Sequence, residues 1–181
     1  MKKAVVLLAD GFEEVEAITP IDFLRRAEID VTVAGVTGRD VVGAHDIRVN
    51  TDITVDELIG SFDAVVIPGG KRGAENIASN ADAIALIRRQ LDAGRLVAAI
   101  CASPGVVLGG HDLIGDRAYT CYPGFEERVS GGRFSEERVV SDGNLITSRG
   151  PGTAAEFAFE VIRALGDPAA ADRVHRLTLQ K

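Results

Sequence analysis

The stretch LVAAICASPGVVLGG, Leu96 to Gly110, places a thiol at Cys101, between two apolar runs. The first run, Leu96 to Ile100, is short, continuous and partly β-branched, which is the pattern of a strand buried on both faces. Ala-Ser-Pro-Gly then interrupts it, and Pro104 suits the first turn of a helix. The second apolar run therefore reads as helical, and Cys101 falls where a buried strand turns sharply into a helix. At such an elbow the side chain is exposed at a helix N-terminus, whose dipole and free N–H groups favour a thiolate. This predicts a Cys101 pKa below the ~8.5 of a free cysteine. The competing reading is a small packed hydrophobe, common for a cysteine beside apolar residues. The turn residues after Cys101 and the loops that should converge on it favour function.

The strand-then-helix theme recurs on both sides of this stretch. KAVVLLA, the amphipathic PIDFLRRAEI and DVTVAGV precede it, followed by FDAVVIPGG and the helix-like NADAIALIRRQLDAG. Continuous apolar strands alternating with helices indicate a mainly parallel sheet covered on both faces. IRVNTDITVDEL reads as a small extended excursion. ERVVSDGNLITSRG reads as a hairpin turning at Asp142-Gly143. A late helix is expected from near Pro151 to about Leu165, then a short one in GDPAAADRVHRL. The expectation is one doubly wound α/β domain over residues 1–181, with no linker or repeat. In such sheets ligand sites lie beyond the carboxyl ends of the strands. That rule gathers LLADGFEEVE, VVIPGGKRGAEN, AAICASPG and TSRGPGT at one edge.

Composition narrows the function. The formal net charge of −7 over 181 residues argues against a nucleic-acid binder, which needs clustered Lys and Arg. The lysines and apolar residues at the N-terminus imitate a secretory signal, but the run is short and ends in an acidic cluster, so it reads as a first strand. Nothing approaches a membrane span. Two cysteines make no disulfide framework, so a reducing cytoplasm is the expected compartment. No P-loop or G-x-G-x-x-G pattern supports a nucleotide cofactor, and no His/Cys/Asp cluster has metal-ligand spacing, so neither cofactor nor metal is expected. His45, His111 and His175 read as surface residues.

Around Cys101, the N–H groups of Gly69, Gly70 and Ala102 are candidate donors to a developing oxyanion, and Pro68 cannot contribute. A tight strand-to-helix turn is the plainer reading of the glycine pair. Glu13, Glu14 and Glu16 form an acidic run suited to a solvated first helical turn. One of them, pointing inward, could hydrogen-bond the thiol. It would help only as a protonated carboxyl, because an ionised one raises the cysteine pKa.

Taken together, DGFEEVEAITPIDFLRRA, VTVAG, DAVVIPGG, GAENI, AAICASP and TSRGPGTAAEFA resemble the ThiJ/PfpI superfamily, most closely its DJ-one branch. The resemblance covers nearly the whole chain in order. It implies a flavodoxin-like three-layer α/β/α sandwich, similar to class I glutamine amidotransferases, a homodimer and a reactive elbow cysteine, here Cys101. It selects Glu16 as the protonated glutamate, matches Gly70 and Ala102 to a backbone anion site, and matches Pro151 to a residue lining the pocket across from the thiol. Two departures matter. Ala102 stands where the protease-like and chaperone-glyoxalase branches carry His, and Tyr122 stands where human-type members carry His. The late His-x-Glu pair of amidotransferases is absent, since Arg176 and Leu177 follow His175. The resemblance implies a cofactor-independent enzyme of the glyoxalase III or protein deglycase type. It would act on methylglyoxal, glyoxal or glycated protein through Cys101 and Glu16. The alternative it carries is an oxidative-stress sensor or redox-regulated chaperone using the same cysteine.

Overall fold

Strands without a polar face must be covered on both sides, and three here have none: Ala4–Leu8, Ala64–Ile67 and Leu96–Ile100 are buried throughout. The structure is a computed structural model and describes residues 1–180. Its elements begin with β1 (Lys3–Leu8), α1 (Glu14–Arg26), β2 (Asp30–Gly35), β3 (Asp40–Val42), β4 (Arg48–Asn50) and β5 (Ile53–Thr54). There follow β6 (Ala64–Ile67), α2 (Lys71–Ala78), α3 (Ala81–Asp92), β7 (Leu96–Ile100), β8 (Ala118–Tyr119) and β9 (Arg133–Phe134). The hairpin β10 (Val139–Asp142) and β11 (Leu145–Ser148) then leads into α4 (Ala154–Ala164) and α5 (Pro168–Leu177).

One seven-stranded sheet runs in the order β10-β11-β7-β6-β1-β2-β5, parallel throughout except for the β10–β11 pair. Helices α1 and α4 pack together on one face, and α2 and α3 cover the other. This is the mainly parallel, doubly covered sheet expected from the alternating apolar runs, and the flavodoxin-like sandwich that the resemblance implies. Helix α3 shows how cover and strand are matched. Asn80 caps it by accepting from the Ala83 N–H at 2.9 Å, and Ala83, Leu86, Ile87 and Leu91 recur at helical spacing on its buried face. The chain extends the sheet from β1 to β2 and β5, then returns to lay β6 on the other side of β1. The crevice beyond β1 and β6 is therefore the reversal point of the strand order, where such sheets bind their ligands.

Several boundaries differ from the reading of the sequence. Helix α1 starts at Glu14 rather than near Pro20, which lies buried inside it. Proline lacks an N–H, so the helix gives up the bond that residue would make to the Glu16 carbonyl. The hairpin turns on Gly143 and Asn144, while Asp142 ends β10 opposite Leu145. Its carboxylate is engaged by the Ala118 N–H at 2.8 Å and by Arg133 at 2.9 Å. After the elbow comes no regular α-helix but one π-helical segment, Pro104–Leu108, and a 3-10 turn, Gly109–His111. The excursion after β2 divides. Strands β3 and β4 form a separate two-stranded arm, and β5 joins the edge of the main sheet. Among the described residues, no helix is long and apolar enough to cross a membrane.

Candidate active site

Cys101 is the first residue beyond β7, and its backbone is left-handed, with φ +64°. For a residue with a Cβ this conformation costs about 1–3 kcal/mol and persists only where the surroundings fix it. Here they do. The Cys101 N–H donates to the Ser148 carbonyl at 2.9 Å, extending the β7–β11 ladder by one bond. The Cys101 carbonyl accepts from the Tyr122 N–H at 2.8 Å. Behind the thiol, the Ser103 hydroxyl donates to the Pro68 carbonyl at 2.6 Å and ties the elbow to the turn leaving β6. The side chain is 9% exposed, so it is reachable but largely dry.

Two further strand exits close on this elbow. A Cβ built at Gly69 would lie 2.5 Å from both Cys101 Cβ and Glu16 Oε2. One at Gly70, where φ is +83°, would lie 2.3 Å from the Gly11 carbonyl oxygen and 2.7 Å from the Glu13 nitrogen. Glycine is thus required twice, to let three loops meet. Glu16, on the first turn of α1, is completely buried and accepts from the Gly69 N–H at 2.9 Å. This corrects the assignment of Gly69 to the oxyanion donors, because its N–H is committed to the carboxyl. The N–H groups of Gly70 and Ala102 are the ones that act on the Cys101 sulfur. Glu16 Oε1 is buried with no hydrogen-bond partner.

Electrostatics separate the acids. Burial, reinforced by the charge of Glu13, raises Glu16 from 4.5 to about 8, while the Cys101 thiol and the Gly69 N–H pull the other way. The carboxyl therefore holds its proton at neutral pH, as the sequence reading required. The thiol does not behave as expected. Burial first, then the ionised Glu16, push it up, and the Gly70 and Ala102 N–H groups offset only part of this. A helix N-terminus alone does not yield a resting thiolate here. Glu13 and Glu14 are not a solvated acidic run. Glu13 caps α1, accepting from the Glu16 N–H at 2.8 Å. Glu14 is 6% exposed and bonds the His45 N–H at 2.7 Å and His45 Nδ1 at 2.8 Å.

The remaining predicted residues lie around this centre in different ways. The Tyr122 ring is 46% exposed and covers Gly150, whose added Cβ would be 3.2 Å from Tyr122 Cδ2 and 3.9 Å from Glu16 Oε1. Pro151 is exposed and faces a surface cleft with Val15 and Ile18 of α1. The turn that carries it is held by Thr153, whose hydroxyl lies 2.6 Å from that of Ser148 and donates to the Gly150 carbonyl at 2.9 Å. Cys121 is buried, 3.8 Å from Glu126, and burial together with that carboxylate pushes it up to about 12. Of the histidines, His111 contacts the Ala78 carbonyl at 2.9 Å and the His175 ring lies 5.1 Å from that of Phe159. Sequence spacing missed one cluster. Glu13, Glu14 and His45 bring ligand-type atoms within 4.8 Å of one another, although His45 is 31 residues beyond Glu14. Both Glu14 oxygens are already taken by His45, so the set is satisfied without an ion.

A family model described as the DJ-1/PfpI family matches residues 2–164. Among curated proteins, the chain is 34% identical over 170 residues to the glutathione-independent glyoxalase DJR-1.2 of Caenorhabditis elegans, covering 92% of this chain and 90% of that protein. Among solved structures it superimposes on a mutant of the DJ-1 superfamily protein STM1931 from Salmonella typhimurium with a TM-score of 0.96, 41% identity and full coverage of both chains. Drosophila melanogaster DJ-1beta gives a TM-score of 0.95 at 39% identity, covering 98% of this chain and 97% of that one.

Proposed function

The chain belongs to the DJ-1/PfpI family, and from that premise we propose that it is a cofactor-independent glyoxalase or deglycase-type enzyme, one domain over residues 1–181, acting on methylglyoxal and glyoxal or their protein adducts. The observation that carries this reading is the meeting of a buried carboxyl poised at about 8 with an elbow thiol and the two backbone donors that reach its sulfur. A group with a pKa near the operating pH is suited to move protons in both directions. The Cys101 sulfur bonds to the aldehyde carbon of methylglyoxal while Glu16, in the ionised fraction that a pKa of about 8 leaves near neutral pH, takes the thiol proton and passes it to the aldehyde oxygen, giving a hemithioacetal. The same carboxylate then takes the hydrogen from that carbon and returns it to the neighbouring one, while the hydroxyl proton passes to the former ketone oxygen. What remains is a thioester of lactate, which water cleaves to lactate and free thiol. Gly70 and Ala102 N–H groups hold the oxygen on which charge develops. Tyr122 and Pro151 bound the entrance. The test is lactate formation from methylglyoxal by purified wild type and Cys101→Ser. Turnover lost with the thiol supports the reading, and equal turnover overturns it.

The sensor alternative rests on the same two side chains. Glu16 Oε1, buried and unpartnered, is free to donate to an oxygen on an oxidised Cys101 sulfur. Mild peroxide followed by peptide mass spectrometry decides it. Two oxygens added selectively to Cys101 support it, whereas a Cys101–Cys121 disulfide as the main product refutes the pocket geometry.

The proposal includes a homodimer in the cytoplasm. Val15 and Ile18 project from α1 at 48% and 43% exposure and share a cleft with Pro151, which supports pairing through this face.

A further inference from the structure

The Glu14–His45 pair lies outside the reacting atoms, yet it is joined to them through the backbone of the first turn of α1 and the hydrogen bonds on either side of it. The β3–β4 arm is not part of the main sheet, and its tip, Gly43–Asp46, lies over the start of α1. Five bonds dock it there. Val42 N–H donates to Asp10 Oδ1 at 2.9 Å, Gly11 N–H to the Val42 carbonyl at 2.7 Å, Ala44 N–H to the Phe12 carbonyl at 2.8 Å, and His45 makes its two bonds to Glu14. The fit leaves no slack, since a Cβ at Gly43 would fall 2.2 Å from Glu14 Oε1. On the opposite side the same loop is bonded to the Gly69 turn: Glu13 N–H donates to the Gly69 carbonyl at 3.0 Å, and Gly69 N–H to Glu16 at 2.9 Å. Glu13 and Glu14 adjoin Glu16 on one helical turn, so whatever holds Glu14 holds the carboxyl that faces Cys101.

We propose that His45 and Glu14 form a proton-responsive clamp that positions Glu16 through the β3–β4 arm, so that Cys101 reactivity follows the charge on His45. The inference rests on the Glu16–Cys101 reading above. His45 is 72% exposed at its side chain, so its ring exchanges protons freely with solvent. The charged groups facing it are Glu14 and Glu13 from α1 and Asp46 from the arm itself. Asp10, Lys71 and Arg72 line the neighbouring cleft between the arm and α2. The hydrogen bond and charge of Glu14 raise His45, so the clamp is closed below the imidazole's raised pKa and weakens as pH rises past it. Glu14 answers it. Burial would raise that carboxyl, but the His45 bonds hold it below the usual range.

The experiment compares Cys101 alkylation by iodoacetamide in wild type and His45→Gln, both in a Cys121→Ser background. Glutamine keeps an N–H donor for Glu14 and loses only the titration. The rate ratio of the two proteins is expected to change by at least about threefold between about pH 6 and about pH 9, departing most from unity at the acid end. A ratio flat across that range overturns the clamp. Amide exchange gives the second measurement. Protection at Ala44 and His45 should fall at least about tenfold in His45→Gln at acid pH and little at alkaline pH, where wild type has lost the charge too. Neither readout needs dicarbonyl turnover. An inactive wild type with a moving ratio would refute the enzyme and keep the clamp, whereas an active one with a flat ratio would do the reverse.

Discussion

A carboxyl and a thiol removed from water compete over protons. Burial raises both, and whichever ionises first raises the other further. Glu16 stops at about 8 because the Gly69 N–H and the thiol stabilise its charge, so it ionises ahead of Cys101. Two outcomes follow for Glu16→Gln. Dicarbonyl turnover should fall by ~10²-fold or more, the usual scale for a positioned acid or base. At about pH 9 the Cys101 thiol should alkylate several-fold faster than in wild type, because the glutamine carries no charge to oppose the thiolate. Iodoacetamide kinetics read the second effect without any substrate. A slower thiol in the variant would show that the carboxyl activates sulfur directly. The identity of this carboxyl was not legible from composition or periodicity, because three glutamates in four positions fit a solvated helical turn equally well. It emerged from the resemblance, and the burial of Glu16 against Gly69 gives the physical reason.

At the level of elements, the close approach of the β6 and β7 exits is the tightest constraint. Gly69→Ala would drive a methyl group to 2.5 Å from both Cys101 Cβ and Glu16 Oε2. Neither neighbour can retreat, since one is held in a left-handed elbow and the other is fully buried. Overpacking of this kind costs about 1–3 kcal/mol. Urea unfolding should show that loss, with turnover falling by more than stability alone explains. An unchanged midpoint would mean that the elbow is softer than its bonding implies. The elbow, the glycine turn and the alternation of strands and helices were all readable, because each is written in contiguous residues. The start of α1 was hidden by Pro20, which reads as a beginning although it sits in the interior, beyond the turn that carries Glu16. The arm and its His45 contact were hidden for a different reason. They pair residues about thirty apart in sequence, and no local pattern announces which histidine meets which acid.

For the whole molecule, the proposed dimer face is tested by Ile18→Glu. Wild type at micromolar concentration should sediment at about twice the chain mass, and a charge placed at this exposed apolar position should shift it toward monomer. Sedimentation that is monomeric from the outset would refute the pairing. The same acid that serves the site also weighs on the fold. Glu16 binds its proton more tightly folded, at about 8, than unfolded, at 4.5. The folded state therefore holds more protons between these values, and stability must decline as pH rises through the interval. The contribution is fully present below 4.5 and gone above about 8, a swing of several kcal/mol for a group this deeply buried. Glutamine at the same position has no proton to lose. The stability difference between Glu16→Gln and wild type should accordingly move in the variant's favour across that window and become level beyond it. Chemical denaturation of both proteins at a series of pH values measures the difference and cancels the titration of every other group. A difference that stays constant with pH would mean that Glu16 ionises in the folded protein as readily as in the unfolded chain, and neither its proton-carrying role nor its hold on Cys101 would survive that result.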